Sequence, residues 1–340
     1  MYFNMDDWSN EIIAAKDRRF LPVLYFPCVC LTGAANVKET LFDGAKMARA
    51  MAAAVEKFPT MIGSMTGMDL TADAEAFGAK VKFKDADAPS LAEAIVSGWD
   101  DARKLPEPDG HAGRLDIFCD AVTEAQKLIM DRPIFGGQLG PFSLAANFLD
   151  VQETMLKTVK EPELVDYLLE KATNFLIKRA LEYKKVGANG ILLAEPTAGL
   201  LSPKPYRRFS TKHVARLVEE VQDSSFYVIL HNCGYISKTF DQMYESGAKG
   251  LHFGNRADMP NILSKLKQDV LIFGNINPAE LVVKTPGEIY KSSKDLLEAT
   301  AQFPNFVFSS GCDIPGTAPL ENVDAMVRAC CDYNKEHGLI

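Results

Sequence analysis

The feature that most constrains the fold is the alternation of short apolar runs with longer segments of helical periodicity. Eight runs have turn residues at both ends, and most are apolar without alternation, which is typical of parallel strands covered on both faces. The predicted strands are residues 23–28, 61–65, 133–138, 190–195, 226–233, 250–255, 270–276 and 306–312.

Helical patterns separate the predicted strands. Residues 163–186 repeat apolar side chains at helical spacing, and Gly187 follows as a typical helix stop. Thr285 and Glu288 match a capping box that begins another helix. The alternation predicts an α/β fold, a (β/α)8 TIM barrel with an N-terminal helical extension, as a single domain over residues 1–340.

An open doubly wound sheet is the alternative fold. No Gly-x-Gly-x-x-Gly follows the first predicted strand, and no Gly-Lys-Ser/Thr phosphate loop is present, so nucleotide binding has no support. The polar stretch 69–114 is predicted to be an excursion after the second strand, with a short strand-like segment at 81–84, and not a separate domain.

Composition and charge exclude several classes of protein. Hydrophobic residues make up 47% and charged residues 24% of the chain, which excludes a disordered, collagen-like or coiled-coil protein. A net charge of −8 argues against a nucleic-acid partner. Seven cysteines are too few for a disulfide scaffold and predict reduced thiols in the cytoplasm. The apolar run 20–35 contains two prolines and is too short to span a membrane.

Polar residues end many of the apolar runs, at the edge where barrel enzymes place their active sites. For a single Asn or Gln among them, we expect loop hydrogen bonds or helix caps. The residues at the predicted strand ends are Cys28, Cys30, Asp69, Gln138, Glu195, His231, Cys233, Asn255, Asn275, Asn277, Cys312 and Asp313.

His231, Cys233 and Cys312 form the most specific pattern. Residues two apart on a strand point to the same side, and closure of the barrel would aim Cys312 of the last strand at the same mouth. One imidazole and two thiolates suit Zn²⁺, and three protein ligands leave an open position, as in catalytic sites. The spacing alone leaves open that these cysteines are ordinary buried small residues.

The other candidates carry weaker signals. Glu195 is predicted to fill the open metal position, orient a histidine or hold substrate, with a helix cap or loop salt bridge as the alternative. Cys28 and Cys30 have same-face spacing and read as core or mouth lining. Packing roles are expected for the helical cysteines Cys119, Cys330 and Cys331, surface or loop positions for His111, His213 and His337, and a hydrogen-bonded place inside the barrel for His252.

Seven landmarks together carry a resemblance to a known family. They are MDLTADAEAFG at 68–78, GPFSLA at 140–145, EPTA at 195–198, LSP at 201–203, HNCG at 231–234, GNINP at 274–278, and SGC at 310–312 followed by PLEN at 319–322. With these segments the sequence resembles the uroporphyrinogen decarboxylase superfamily, and within it the corrinoid-dependent methyltransferase branch, which includes the methylcobalamin:coenzyme M methyltransferases.

The resemblance implies a zinc-dependent methyltransferase. It implies zinc on His231, Cys233 and Cys312, and methyl transfer between the cobalamin of a partner corrinoid protein and a small substrate such as a coenzyme M-like thiol. Asp69 matches an aspartate that is important in decarboxylases, and it joins Glu195 as a candidate catalytic residue.

Two segments depart from the family patterns and leave alternatives open. Residues 26–33 (FPCVCLTG) lack the two arginines that grip substrate carboxylates in decarboxylases, and residues 251–255 (LHFGN) lack an aspartate common in the methyltransferases. The alternatives are a demethylase that passes methyl from a methoxyaromatic or methylamine to cob(I)alamin, a uroporphyrinogen decarboxylase, and a barrel that binds its partner without turnover.

Overall fold

The molecule is built around a curled parallel sheet. The structure, a computed structural model, describes residues 3–339. The strands are β1 Ser64–Met65, β2 Val81–Lys82, β3 Ser90–Leu91, β4 Ile134–Leu139, β5 Gly190–Ala194, β6 Tyr227–Asn232, β7 Gly250–Phe253, β8 Leu271–Ile276 and β9 Phe306–Ser310. The seven barrel strands pair in the order β1-β4-β5-β6-β7-β8-β9, and all of these pairs are parallel. The predicted barrel is therefore confirmed.

The barrel closes through residues 19–23, which take the place of the first strand. Phe20 bridges both Met61 and Phe308, and the backbone N–H of Leu21 donates to the carbonyl of Phe308 at 2.9 Å. The prediction of a regular strand over 23–28 is wrong, because Phe26–Thr32 forms a 3-10 helix. Prolines at positions 22 and 27 remove backbone donors that a strand ladder needs.

The 3-10 helix separates the two cysteines that the sequence placed on one face, although Cys28 lies in the core as expected. Cys28 is buried and Cys30 is exposed, so the two side chains do not share a face. Same-face spacing at i and i+2 holds only on a strand.

The helices surround the sheet or cover its ends. They are α1 Met5–Ala14, α2 Val37–Thr40, α3 Gly44–Lys57, α4 Ala72–Glu75, α5 Trp99–Lys104, α6 Leu115–Leu128, α7 Pro141–Leu149, α8 Val151–Lys160, α9 Pro162–Lys185, α10 Pro203–Tyr206, α11 Lys212–Val221, α12 Phe240–Tyr244, α13 Met259–Lys265, α14 Glu280–Val283, α15 Pro286–Ala299 and α16 Leu320–Glu336. The predicted capping box of α15 is confirmed, and α9 ends before Gly187, whose φ is 90°. No helix of the described chain is both long and apolar enough to cross a membrane.

Helix α1 is the predicted N-terminal extension, and it covers the amino-terminal end of the barrel. Its first backbone N–H, that of Met5, donates to the carbonyl of Ser224 at 2.7 Å. The Tyr227 hydroxyl at the start of β6 donates to Asp6 at 2.5 Å, and the Trp8 ring lies 5.9 Å from that of Phe135 in β4. With this end covered, the carboxyl ends of the strands form the accessible mouth.

The excursion over residues 69–114 follows β1 and contains a small antiparallel hairpin, the short helices α4 and α5, and loops. Strand β2 pairs with β3 in this segment, outside the barrel sheet. A buried ion pair between Asp73 and Arg179 of α9, at 3.0 Å, holds the excursion to the barrel.

Candidate metal centre

Strand β6 positions His231 and Cys233. Its residues 227–232 are fully buried and hydrogen-bonded between β5 and β7, with Ala194 and His252 directly opposite His231. A strand with neighbours on both sides holds its side chains rigidly. Cys233 lies one residue beyond the strand, on the same side as His231.

Two glycines let the ends of β7 and β9 approach the predicted metal ligands. A Cβ on Gly254 would lie 2.5 Å from the Cα of Cys233, and one on Gly311 would lie 2.6 Å from the backbone nitrogen of Asn255. Only glycine fits at such separations. Gly311 immediately precedes Cys312, so the close approach carries that thiol toward β6.

The three predicted metal ligands come together. One ligand atom from each of His231, Cys233 and Cys312 lies within 4.8 Å of the others, and within residues 3–339 this is the only such His/Cys/Asp/Glu group. The Nε2 of His231 lies 3.5 Å from the Sγ of Cys312. Tetrahedral zinc with its usual bond lengths sets these two atoms about 3.6 Å apart. The donor set and its spacing therefore fit Zn²⁺.

The two thiols shift each other's pKa values in opposite directions. A hydrogen bond from the Cys312 thiol, with a contribution from His231, outweighs burial and lowers the pKa of Cys233 to about 4. The same hydrogen bond, together with burial, raises the pKa of Cys312 well above its ordinary value. Both sulfurs must be thiolates to bind a metal, so a cation that binds the pair would displace any proton they hold.

His231 is bonded on its other side by a second buried histidine. Its Nδ1 lies 2.7 Å from the Nδ1 of His252, and the Nε2 of His252 lies 3.1 Å from the Oγ of Ser309. Burial, with His231 adding to it, lowers the pKa of His252 well below its ordinary value, so this ring is neutral.

Glu195 lies behind the centre, where it binds the start of a helix. Its carboxylate oxygens accept the backbone N–H groups of Phe142 at 2.9 Å and Ser143 at 2.8 Å, and the Ser210 hydroxyl at 3.2 Å. Burial raises the pKa of Glu195 in spite of these bonds. Its backbone carbonyl accepts the Asn232 side-chain amide at 2.7 Å, which links it to the segment between the two β6 ligands.

Asp69 lies in a separate buried ion pair. Its Oδ2 lies 2.5 Å from Arg114, and its Oδ1 accepts both the backbone N–H of Thr71 at 3.0 Å and its hydroxyl at 2.6 Å. Arg114 also contacts Glu75 at 2.7 Å. The structure therefore does not bring Asp69 or Glu195 into the metal group, and their catalytic roles stay predictions.

Comparison with known proteins identifies the family. The sequence profile described as Uroporphyrinogen decarboxylase (URO-D) matches residues 29–333. The chain belongs to the uroporphyrinogen decarboxylase family. The resemblance drawn from the sequence landmarks is thereby confirmed.

Relatives of this chain are named for more than one reaction. The methylcobamide:CoM methyltransferase MtbA of Methanosarcina acetivorans is 27% identical over 343 residues, which cover 97% of this chain and 99% of that relative. A uroporphyrinogen decarboxylase of Hydrogenovibrio crunogenus is 24% identical and covers 83% of this chain and 82% of its own. A solved methyltransferase from Methanosarcina mazei shares the fold, with a TM-score of 0.86 at 23% identity over 97% of this chain and 99% of that one.

Asn and Gln side chains at the strand ends form hydrogen bonds with the backbone of neighbouring segments. Gln138 donates to the carbonyl of Leu176, and Asn275 donates to the carbonyls of Gly254 and Ala257. The bonds from Asn275 hold the segment that abuts Cys233.

The sequence did not predict three side-chain contacts near the barrel mouth. Arg114, the partner of Asp69, is distant in sequence and gave no signal. Ser210 lies in a π-helical turn, Arg207–Thr211, that local patterns do not predict. The contact of His252 with His231 had a signal, since each is a polar residue within an apolar strand, but the strand register had to be known.

Proposed function

We propose that this protein is a zinc-dependent, corrinoid-dependent methyltransferase. It would move a methyl group between the cobalamin of a corrinoid protein and a small thiol of the coenzyme M type. The observation that carries this proposal is the group His231, Cys233 and Cys312 at the barrel mouth, with ligand atoms within 4.8 Å of one another. The name of the MtbA relative, a methylcobamide:CoM methyltransferase, supports the same reaction.

The ligand group suits a thiol substrate at an open side of the centre. His231 is buried, whereas Cys233 and Cys312 are partly exposed, so the accessible side of the centre lies toward the two sulfurs. Zinc bound there would supply a Lewis acid that keeps a substrate sulfur as its thiolate at neutral pH. The chain itself would hold the three donor atoms in fixed positions, with the buried barrel strands behind them.

The transfer moves one methyl group between cobalt and sulfur. A carbon–sulfur bond forms on the substrate thiolate as the carbon–cobalt bond breaks, and the electron pair of the broken bond stays on the cobalt of the corrinoid. The corrinoid is supplied by the partner protein. A reducing compartment such as the cytoplasm would keep the chain's thiols available.

We propose positioning roles for the two carboxylates that the sequence singled out. Glu195 holds the start of α7 and, through Asn232, the backbone between His231 and Cys233. Asp69 holds the excursion at the mouth through Arg114.

Uroporphyrinogen decarboxylation has less support than methyl transfer. The Asp69 carboxylate is engaged by Arg114 and Thr71, so it is not free to act on a pyrrole. The Phe26–Thr32 segment offers no cation for substrate carboxylates, and its first four residues are buried.

The test combines metal content with a reaction assay. Purified protein should contain one zinc per chain and produce cob(I)alamin, followed by its absorption spectrum, from methylcobalamin and at least one thiol of a panel. Cys312→Ser should lose both zinc and activity, whereas the control Cys331→Ser, on the distant helix α16, should keep both.

Four results would overturn the proposal. Absence of zinc in the wild type, or full zinc in Cys312→Ser, would remove the metal centre. Methyl transfer from a methoxyaromatic or methylamine to cob(I)alamin, with no reaction of any thiol, would favour the demethylase. Formation of coproporphyrinogen without added metal would establish the decarboxylase.

A further inference from the structure

Hydrogen bonds on the buried side of His231 determine which ring nitrogens carry protons. His231, His252 and Ser309 come from β6, β7 and β9 and are 4%, 2% and 0% exposed. The Nδ1 atoms of the two histidines are 2.7 Å apart, and the Nε2 of His252 is 3.1 Å from the Ser309 hydroxyl oxygen. The side-chain hydrogen bonds of the rings join them to each other and to one hydroxyl. The backbone of Ser310 and of His252 itself also contacts the His252 ring.

One arrangement of protons satisfies both rings. Two ring nitrogens at this distance need one donor and one acceptor. The Nε2 of His231 faces the Sγ of Cys312, so it must carry the lone pair when His231 is a metal ligand. Its Nδ1 then holds the proton and donates to His252. The Nε2 of His252 in turn holds a proton and donates to Ser309.

We propose that His252, anchored by Ser309, is a positioning residue that fixes His231 in the tautomer whose Nε2 binds the metal. The proposal rests on the zinc centre of the proposed function. The partner that holds a metal-binding histidine is usually a carboxylate, a carbonyl or water. Here it is an imidazole, which orients His231 without bringing a carboxylate's negative charge to a centre that already holds two cysteine sulfurs.

Three substitutions test the proposal through zinc affinity, measured by competition with a chelator at pH 7.5. His252→Leu removes the acceptor and should weaken zinc binding about 10–100-fold. His252→Asn places an amide oxygen near the former Nδ1 and should restore most of the affinity. His213→Asn changes an equally buried histidine on α11 and should leave the affinity unchanged.

The outcomes separate this proposal from the proposed function. A wild-type protein that binds no zinc removes the centre itself. A wild-type protein that binds zinc no more tightly than His252→Leu overturns only the role of His252. Equal losses in His252→Leu and His252→Asn would also overturn it, because an acceptor at that place would then not matter.

A spectroscopic measurement gives an independent answer that does not depend on zinc affinity. Nitrogen-15 NMR of the histidine rings in the zinc-loaded wild type should show His231 protonated at Nδ1 and His252 protonated at Nε2. Ser309→Ala should shift the Nε2–H signal of His252. A wild-type His252 protonated at Nδ1 would overturn the proposal, since that ring could then not accept from His231.

Discussion

His213 makes the stability of the protein depend on pH. This histidine on α11 is 2% exposed, and its Nδ1 lies 3.1 Å from the Thr173 hydroxyl of α9. Burial lowers its pKa from 6.5 to about 4, with Glu170 opposing and Lys212 reinforcing the change. The expectation that His213 lies in a loop or on a helix surface is therefore wrong.

The lowered pKa means that acid favours the unfolded chain. An unfolded histidine takes up a proton near pH 6.5, whereas folded His213 does so only near pH 4. Its contribution to the free energy of unfolding is thus complete above pH 6.5 and is lost as the pH falls from there toward 4. Proton linkage puts the loss between pH 7.5 and pH 5 at about 2 kcal/mol, out of a limit of about 3 kcal/mol.

Urea unfolding of the wild type and of His213→Asn at the two pH values measures this loss. The asparagine keeps a polar atom near Thr173 but does not titrate. Other ionisable groups, including the metal ligands, contribute to both proteins and cancel in the comparison. We expect the wild type to lose about 2 kcal/mol more than the variant between pH 7.5 and pH 5. Equal losses in the two proteins would refute the reasoning.

Three further substitutions test contacts around the mouth. Arg114→Leu removes the cation from its buried partner carboxylate and should lower the free energy of unfolding by about 3–5 kcal/mol, measured in urea; a loss below about 1 kcal/mol would contradict the pairing. Glu195→Gln removes one of two acceptors at the start of α7 and should cost about 1–3 kcal/mol with zinc content unchanged; zinc loss would instead place this group at the metal. Gly254→Ala should displace Cys233 and weaken zinc binding, whereas Gly287→Ala, which meets open space, should not.

The barrel and the grouping of His231, Cys233 and Cys312 could be predicted because their sequence signals are local or additive. Apolar runs of strand length between helical segments define the repeated units, and seven of the eight predicted strands coincide with barrel strands. The pair His231 and Cys233 lies two residues apart, and Cys312 ends another predicted strand. Closure of a barrel then suffices to bring the three together.

The remaining features depend on contacts between distant parts of the chain, which the hydrophobic periodicity of the sequence does not predict. Hydrophobicity alone predicted a strand at 23–28, but two prolines prevent a ladder there. His213 lies on the buried side of α11, whereas its polarity predicted an exposed position. The contact of His252 with His231 requires the parallel register of β6 and β7, which no local pattern supplies.

Because residues 19–23 close the barrel, we expect the predicted metal ligands to assemble late in folding. Val23 donates its backbone N–H to the hydroxyl of Ser310, which is 287 positions later in the chain. Contacts between such distant residues form slowly, because a long stretch of chain must be ordered first. Ser310 lies two residues before Cys312, so the third ligand reaches its place when the chain's two ends meet. A refolding chain should therefore acquire tight zinc affinity only as the barrel becomes complete.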